Sequence, residues 1–160
     1  MAPTLRNDQF DPLPAEKAER WETFLNWPDV TFFPNVVGLQ LEEVKCDYAR
    51  VRLPFRDELN QPAGIVHGGA IATVIDTVVV PAVAWIFDEF RPLLTIDMNV
   101  RYLEAVQGED IIAEGWVRRR GSSIVFLDVD VWSGSGALCA TGSLTYKIGR
   151  PMPAPDGVTR

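Results

Sequence analysis

The chain is poor in metal ligands of the soft kind. One histidine, His67, and two cysteines, Cys46 and Cys139, are all that its 160 residues offer. No Cys-x-x-Cys pair occurs, so a zinc site built from His and Cys is not expected. Basic charge is also short: 15 Lys and Arg stand against 22 Asp and Glu, a formal charge of -7. Such a chain is a poor general binder of nucleic acid, and only local basic patches remain for anionic ligands. Neither a Gly-x-x-x-x-Gly-Lys-Ser/Thr loop nor a Gly-x-Gly-x-x-Gly turn is present. Gly134-Ser135-Gly136 is too short for a nucleophile elbow. The most apolar stretch, residues 63–87, is interrupted by His67, Gly68, Gly69, Asp76 and Pro81. An ionised Asp near the middle is costly in lipid, and Thr77 to Phe87 alone is too short to span. Met1 to Phe10 holds no apolar run, so free thiols in a reducing cytoplasm are the expectation.

What is present is a globular composition. Hydrophobic residues make up 47% and charged residues 23%, enough for one domain that buries its core without staples. Met1 to Leu13 reads as a flexible or extended arm. Ala15 to Leu25 reads as a short helix with Ala18, Trp21, Phe24 and Leu25 on one face and a Glu16–Arg20 pair. Trp27 to Pro34 ends it. Gly38 to Lys45 and Tyr48 to Phe55 read as strands joined by a Cys46-Asp47 turn. A helix from about Gly68 to Phe87 is apolar almost all round, so it should be buried, with Pro81 kinking or splitting it. Four strands follow: Leu94 to Leu103, Asp110 to Arg119, Ser122 to Trp132 and Leu138 to Ile148. Short turns between them imply antiparallel neighbours. The expectation is an α+β architecture in which a sheet of about six strands curls around one long helix. By extent it divides into residues 1–34, an arm with a short helix; 35–150, the domain; and 151–160, a Pro-rich tail.

Two constellations carry candidate chemistry. From Leu59 to Phe87 there is one carboxylate, Asp76, nine residues after His67, with Gly68 and Gly69 between them. Glycines at a helix start admit close approach to the backbone, and the first N–H groups have no intrahelical partner and sit at the positive end of the dipole. Such a place can hold a carbonyl oxygen that becomes an oxyanion. A lone carboxylate in apolar surroundings can serve as a general base or nucleophile. Asp76 lies eight residues past Gly68, about 12 Å along a helix axis. One side chain does not bridge that gap, so a shared task needs two antiparallel helices from two subunits. The plain structural alternative is close helix packing at the glycines, a capping His67 and a paired buried Asp76. The second constellation is Arg118, Arg119, Arg120, Gly121, Ser122 and Ser123, which reads either as a phosphate-binding turn, with Arg101 and Lys147 able to join it, or as a solvated hairpin tip.

Gln61-Pro62-Ala63-Gly64-Ile65-Val66-His67-Gly68-Gly69-Ala70, followed by Thr73 and Asp76-Thr77, resembles the signature of hot-dog-fold acyl-CoA thioesterases of the phenylacetyl-CoA thioesterase-like (PaaI-type) group. Thr95 to Leu103 and Arg119 to Ser123 resemble that group's strand after the helix and its basic turn. The resemblance implies a hot-dog fold, with a central helix wrapped by a curved antiparallel sheet. It implies homodimers with shared sites, usually paired into tetramers, and hydrolysis of an aryl or medium-chain acyl-CoA. CoA is then part of the substrate, with no separate cofactor, no metal and no nucleic-acid or membrane partner. In that scheme the Gly68 N–H polarises the thioester carbonyl and Asp76 of the other subunit is general base or nucleophile. Gln61 and His67 orient thioester or water, and Asn60, Gly69, Thr77, Arg120, Gly121, Ser122 and Ser123 contact substrate. Two positions depart from common patterns: Gln61 stands where many relatives carry Asn, and Val80 stands where some carry Ser or Thr. Two other activities fit the same fold: acyl-CoA sensing without hydrolysis, and enoyl-CoA hydration using His67 and Asp76.

Overall fold

A computed structural model describes residues 5–21, 24–25, 27 and 29–158. Six strands form one antiparallel sheet: β1 (Gln40–Lys45), β2 (Tyr48–Leu53), β3 (Leu93–Tyr102), β4 (Ile111–Arg120), β5 (Ile124–Ser133) and β6 (Leu138–Ile148). Their order across the sheet is β1-β2-β4-β5-β6-β3, so β1 and β3 are the edges. The described residues also form three α-helices: α1 (Ala15–Ala18), α2 (Phe33–Val37) and α3 (Gly68–Ala84). The sheet curls around α3, which is the α+β, hot-dog arrangement expected above.

Alternation builds the sheet's inner face. Val125, Leu127, Val129 and Val131 are buried on β5, while Phe126, Asp128 and Asp130 on the other face are not. They close on Val74, Ile75, Val78, Val79, Ala82 and Val83 of α3, all fully buried. Each such aliphatic side chain contributes roughly 1.5–3 kcal/mol by leaving water. Two strand glycines let the sheet approach this closely. A Cβ at Gly115 would stand 2.9 Å from Cγ1 of both Val78 and Val79, and one at Gly142 would stand 2.6 Å from Ile75 Cγ2.

Several expectations need correction. The helix at residues 15–25 is shorter: four α-helical residues tighten into a 3-10 turn at Glu19–Trp21. Leu25 sits at φ 68°, outside any right-handed helix. Positions 22, 23, 26 and 28 lie outside the described residues. The 3-10 turn buries Trp21. Arg20 turns away from Glu16 and donates to the carbonyl oxygens of Phe87 and Asp88. The stretch from Trp27 to Pro34, expected only to end that helix, leads into α2, with Pro34 in its first turn, where a missing N–H costs nothing.

The arm, described from residue 5, is docked rather than free. The Arg6 amide donates to Glu114 Oε1 at 2.7 Å and its guanidinium to Asp130 at 3.2 Å. Phe10 stacks on Tyr48, and Pro12 bridges Lys45 at the exposed edge of β1.

Helix α3 runs unbroken through Pro81 and ends at Ala84, not Phe87. Proline removes one donor, but it falls in the last turn, so little helix lies beyond it. The carbonyls of Ala82 and Val83 are taken by Arg120 instead. No described helix is long and apolar enough to cross a membrane. Both cysteines are free thiols.

The closeness of sheet and helix yields a stability prediction. Gly142→Ala should cost about 2 kcal/mol through overpacking against Ile75, read as a lower denaturant midpoint at unchanged slope. An unchanged midpoint would mean that the sheet can back away from the helix freely.

Candidate active site

Helix α3 begins at His67, whose φ of -64° and ψ of 134° make it the cap. Its Nδ1 accepts the Gly69 N–H at 2.8 Å, and its carbonyl accepts from Ala70 and Ile71. That accounts for three of the four first amides. Among the described residues nothing accepts from the Gly68 N–H, so one donor remains at the positive end of the helix. The Gly68 carbonyl is held by the Tyr102 hydroxyl at 2.8 Å. The Tyr102 ring lies 3.2 Å from where a Cβ on Gly68 would be, so a larger residue there would push on that ring.

The loop before the helix folds on itself. Gln61 and Ile65 are joined by a 2.9 Å bond, Gly64 turns back to the Gln61 carbonyl at φ 76°, and the His67 amide reaches the Leu59 carbonyl. This brings Asn60, Gln61 and His67 to the mouth of α3. Asn60 is partly buried, and its Oδ1 has no hydrogen-bond partner among the described residues.

Asp76 projects from the middle of α3, half-buried. Its Oδ1 accepts from the Thr95 hydroxyl at 2.8 Å and from the Tyr146 hydroxyl at 2.7 Å. Tyr146 also reaches the Asp76 carbonyl oxygen at 2.5 Å. Thr95 and Tyr146 face each other across β3 and β6. Both hydroxyls hold the same carboxylate oxygen, and no described group donates to Oδ2. A carboxylate fixed through one oxygen keeps the other for a proton or an attack.

Neither Thr95 nor Tyr146 was among the residues expected from the sequence. Burial, and then the Asp76 charge, push the Tyr146 phenol far above its ordinary value of 10.0, so it stays a donor. Tyr48 is raised in the same way by burial and by Glu114.

Other expected residues are placed elsewhere. Thr77 is buried and, one residue on, turned about 100° away from Asp76. Arg120 meets a different environment from the one expected of a substrate contact. Its guanidinium turns inward to Asp47 Oδ1 at 2.5 Å and to the carbonyls of Val83 and Ala82. A helix C-terminus has unpaired carbonyls and the negative end of the dipole, and a cation satisfies both. Trp85 donates to the same Asp47 oxygen. Gly121, Ser122 and Ser123 form an exposed tip beside it, at the far end of α3 from Gly68. Lys147 lies opposite Ile124 near that tip, while Arg101 pairs with Thr141 at the other end of β3. Val80 follows Asp76 by one turn and offers it no hydrogen bond. Among the described residues no cluster of three His, Cys, Asp or Glu could hold a metal ion.

Comparison with known proteins fits this arrangement. A family model described as the thioesterase superfamily matches residues 63–140, which hold His67, Gly68, Asp76 and Thr95. Acyl-coenzyme A thioesterase 13 of Homo sapiens is 30% identical over 95 residues, which are 58% of this chain and 67% of that protein. The crystal structure of zebra fish thioesterase superfamily member 2 matches with a TM-score of 0.70 at 25% identity, over 80% of this chain and 94% of that one. The PaaI protein of the E. coli phenylacetic acid degradation operon matches with a TM-score of 0.75 over 86% of this chain and 99% of that one. At 13% identity that last likeness is one of fold.

The two raised tyrosines give a pH prediction. Above about pH 10 the unfolded chain releases phenol protons that the folded chain retains, so stability is whole below that pH and falls above it. The unfolding midpoint should therefore drop steadily in alkaline buffers, and more shallowly in Tyr146→Phe. An identical slope in the variant would rule out Tyr146 as a source.

Proposed function

Because the chain belongs to the thioesterase superfamily, we propose that it hydrolyses an aryl or medium-chain acyl-CoA to the free acid and CoA, in sites shared between two copies. The observation that carries this reading is Asp76, fixed through Oδ1 by two hydroxyls with Oδ2 uncommitted, on a helix that starts with an unpartnered Gly68 N–H.

The chemistry needs few parts. A thioester carbonyl placed at Gly68 is polarised by that N–H and the helix dipole. Asp76 Oδ2 takes a proton from a water, and the water oxygen adds to the carbonyl carbon. The carbon–sulfur bond then breaks, and the proton passes to the departing sulfur. Asp76 attacking the carbonyl itself, followed by hydrolysis of the anhydride, uses the same geometry. Thr95 and Tyr146 keep the carboxylate aimed in either case. Gln61, Asn60 and His67, gathered at the helix start, orient the thioester or the water. Gly69 adds room, because its own amide is taken by His67. The exposed tip at Gly121, Ser122 and Ser123 faces the CoA portion, while Arg120 acts through the turn that it anchors.

Distance supports two copies, if Gly68 and Asp76 act on one thioester. Gly68 and Asp76 share one unbroken helix, about 12 Å apart along its axis. Strand β3 supports the pairing. It is an unpaired edge, and it leaves Leu94, Ile96 and Tyr102 each more than half exposed. A long apolar edge is ordinarily covered by another strand. The reading is of a dimer joined here, with dimers further paired into tetramers, working in a reducing cytoplasm.

Two results are expected. Asp76→Asn should keep its fold and lose about 100-fold or more in kcat, followed as free thiol released from acyl-CoAs. Full turnover in that variant would reject Asp76. Binding of acyl-CoA with no thiol release from wild type would favour a sensing role, and product from an enoyl-CoA would favour hydration. Separately, Ile96→Lys should shift the assembly towards monomer in sedimentation and lower thiol release in step. A monomer with wild-type turnover would refute shared sites.

A further inference from the structure

A cavity of about 680 Å³ lies at the other end of α3, between the docked arm, the C-terminal half of the helix and the tail. Six aromatic rings stand in its walls: Trp21, Phe24, Trp27, Phe32, Phe87 and Phe90. The first four form a run in which each ring meets the next edge-on, with centroids 5.1–5.4 Å apart. Phe32 and Phe90 still have 37% of their surface exposed. At the rim Arg20 binds the Phe87 and Asp88 carbonyls, Lys17 pairs with Asp88 and Arg91 lies over the Phe87 ring, while the exposed Glu89 has no partner among the described residues. The tail is tied in by the Met152 amide donating to the Phe90 carbonyl at 3.0 Å.

This cavity does not include Asp76, Thr95 or Tyr146 in its lining, but it is related to the candidate active site along two elements. Val80 and Ala84 line it, and they follow Asp76 at intervals of four, so the three lie on one stripe of α3 at about 6 Å steps. Leu93 also lines it, two residues before Thr95 on the same face of β3, opposite Ile148 as Thr95 is opposite Tyr146. Thus the Asp76–Thr95 layer is followed by a Val80–Leu93 layer, and that layer opens on the rings. Val80 thereby has a task where some relatives carry a hydroxyl: an apolar floor rather than a water ligand. Only 63–140 matches the family model, whereas Trp21, Phe24, Trp27, Phe32 and the tail lie outside it.

We propose that this ring-lined cavity, built by the arm and tail, is the acyl site and that it selects an aryl acyl group of more than one ring. The volume is that of a pocket for a drug-sized group, larger than a single ring needs. Ring edges and faces complement another aromatic system better than a flexible chain, which also loses more freedom on binding. The inference rests on the hydrolytic reading above for its placement of the carbonyl at Asp76.

The test compares benzoyl-, octanoyl- and 2-naphthoyl-CoA as substrates, with tryptophan fluorescence as a second readout, because Trp21 and Trp27 line the cavity. The expected result is a kcat/KM for 2-naphthoyl-CoA at least tenfold above either of the others. In Ala84→Phe, which narrows the cavity beside Val80, that preference should fall about tenfold or more. Should Ala84→Phe fail to fold, Phe24→Ala on the facing wall is expected to lower the same ratio. Asp76→Asn should show saturable fluorescence change with 2-naphthoyl-CoA, reduced in Asp76→Asn/Trp27→Phe, and little with CoA alone. Equal rates across the three esters, or a preference untouched by both cavity variants, overturns the proposal. Absence of thiol release from every ester would defeat the hydrolytic reading. Fluorescence would then decide the cavity alone: saturation by 2-naphthoyl-CoA keeps it as an aryl-acyl site, and none removes it.

Discussion

The sheet can hold Asp76 only because it lies almost in contact with the backbone of α3. Gly142 on β6 has no room for a methyl group before Ile75, and Gly115 on β4 has none before Val78 and Val79. A sheet kept even a methyl group farther away would leave Tyr146 short of the helix, because a phenol has a fixed reach. With the glycines in place, the Tyr146 hydroxyl sits within hydrogen-bond distance of both the side chain and the carbonyl oxygen of Asp76. Thr95, across the ladder on β3, then falls on the same carboxylate oxygen. Packing therefore sets the direction of the free oxygen, and the chemistry inherits it.

The fold was legible where side-chain alternation and burial agree. Strand β5 reads in and out without exception over residues 125–131, and α3 reads as apolar on nearly every side. Both patterns follow from contact with one core. Legibility failed where the chain serves the surface of that core. At residues 15–25 the helical pattern is real, but the bonds that decide its course lie far away, at Phe87 and Asp88, and Trp21 is buried by a tighter turn. Helix α2 has five residues and a proline, too short to show a period. The docking of the arm depends on Glu114, a buried acid on β4 that accepts from both Arg6 and Tyr48. No local pattern announces a partner 108 residues distant.

The candidate site divides along the same line. Asp76, His67 and Gly68 stand out because carboxylates, imidazoles and paired glycines are scarce around them. Thr95 and Tyr146 do not, since hydroxyl residues are frequent in strands and only the register shows which one meets the helix. Alternation could have narrowed the choice: Tyr146 shares a face with Gly142, Leu144 and Ile148, all inward, so a buried phenol needed a partner. Arg120 shows the opposite error. Three consecutive arginines suggest an anion, yet alternation turns one of them into the sheet. There the unpaired carbonyls at the end of α3 are a nearer and permanent negative end.

The two ends of α3 thus carry different loads. Its first turn is capped by His67 but leaves one amide unspent, whereas its last turn is closed by Arg120, Asp47 and Trp85 with little left over. A helix finished in this way can stabilise a developing negative charge only at its start. The carboxylate sits two turns downstream of that start, where Thr95 and Tyr146 of the sheet hold one of its oxygens. A single chain cannot bring its own unspent amide to its own carboxylate, since a rigid helix separates them. In the proposed reading an antiparallel second helix would, and it would do so twice, because the relation is reciprocal. The bare edge of β3, adjoining Asp76 through Thr95, is where such a second copy would find unpaired backbone and apolar side chains to cover. Under that proposal assembly and activity become one geometric requirement, set by the rise of the helix between Gly68 and Asp76.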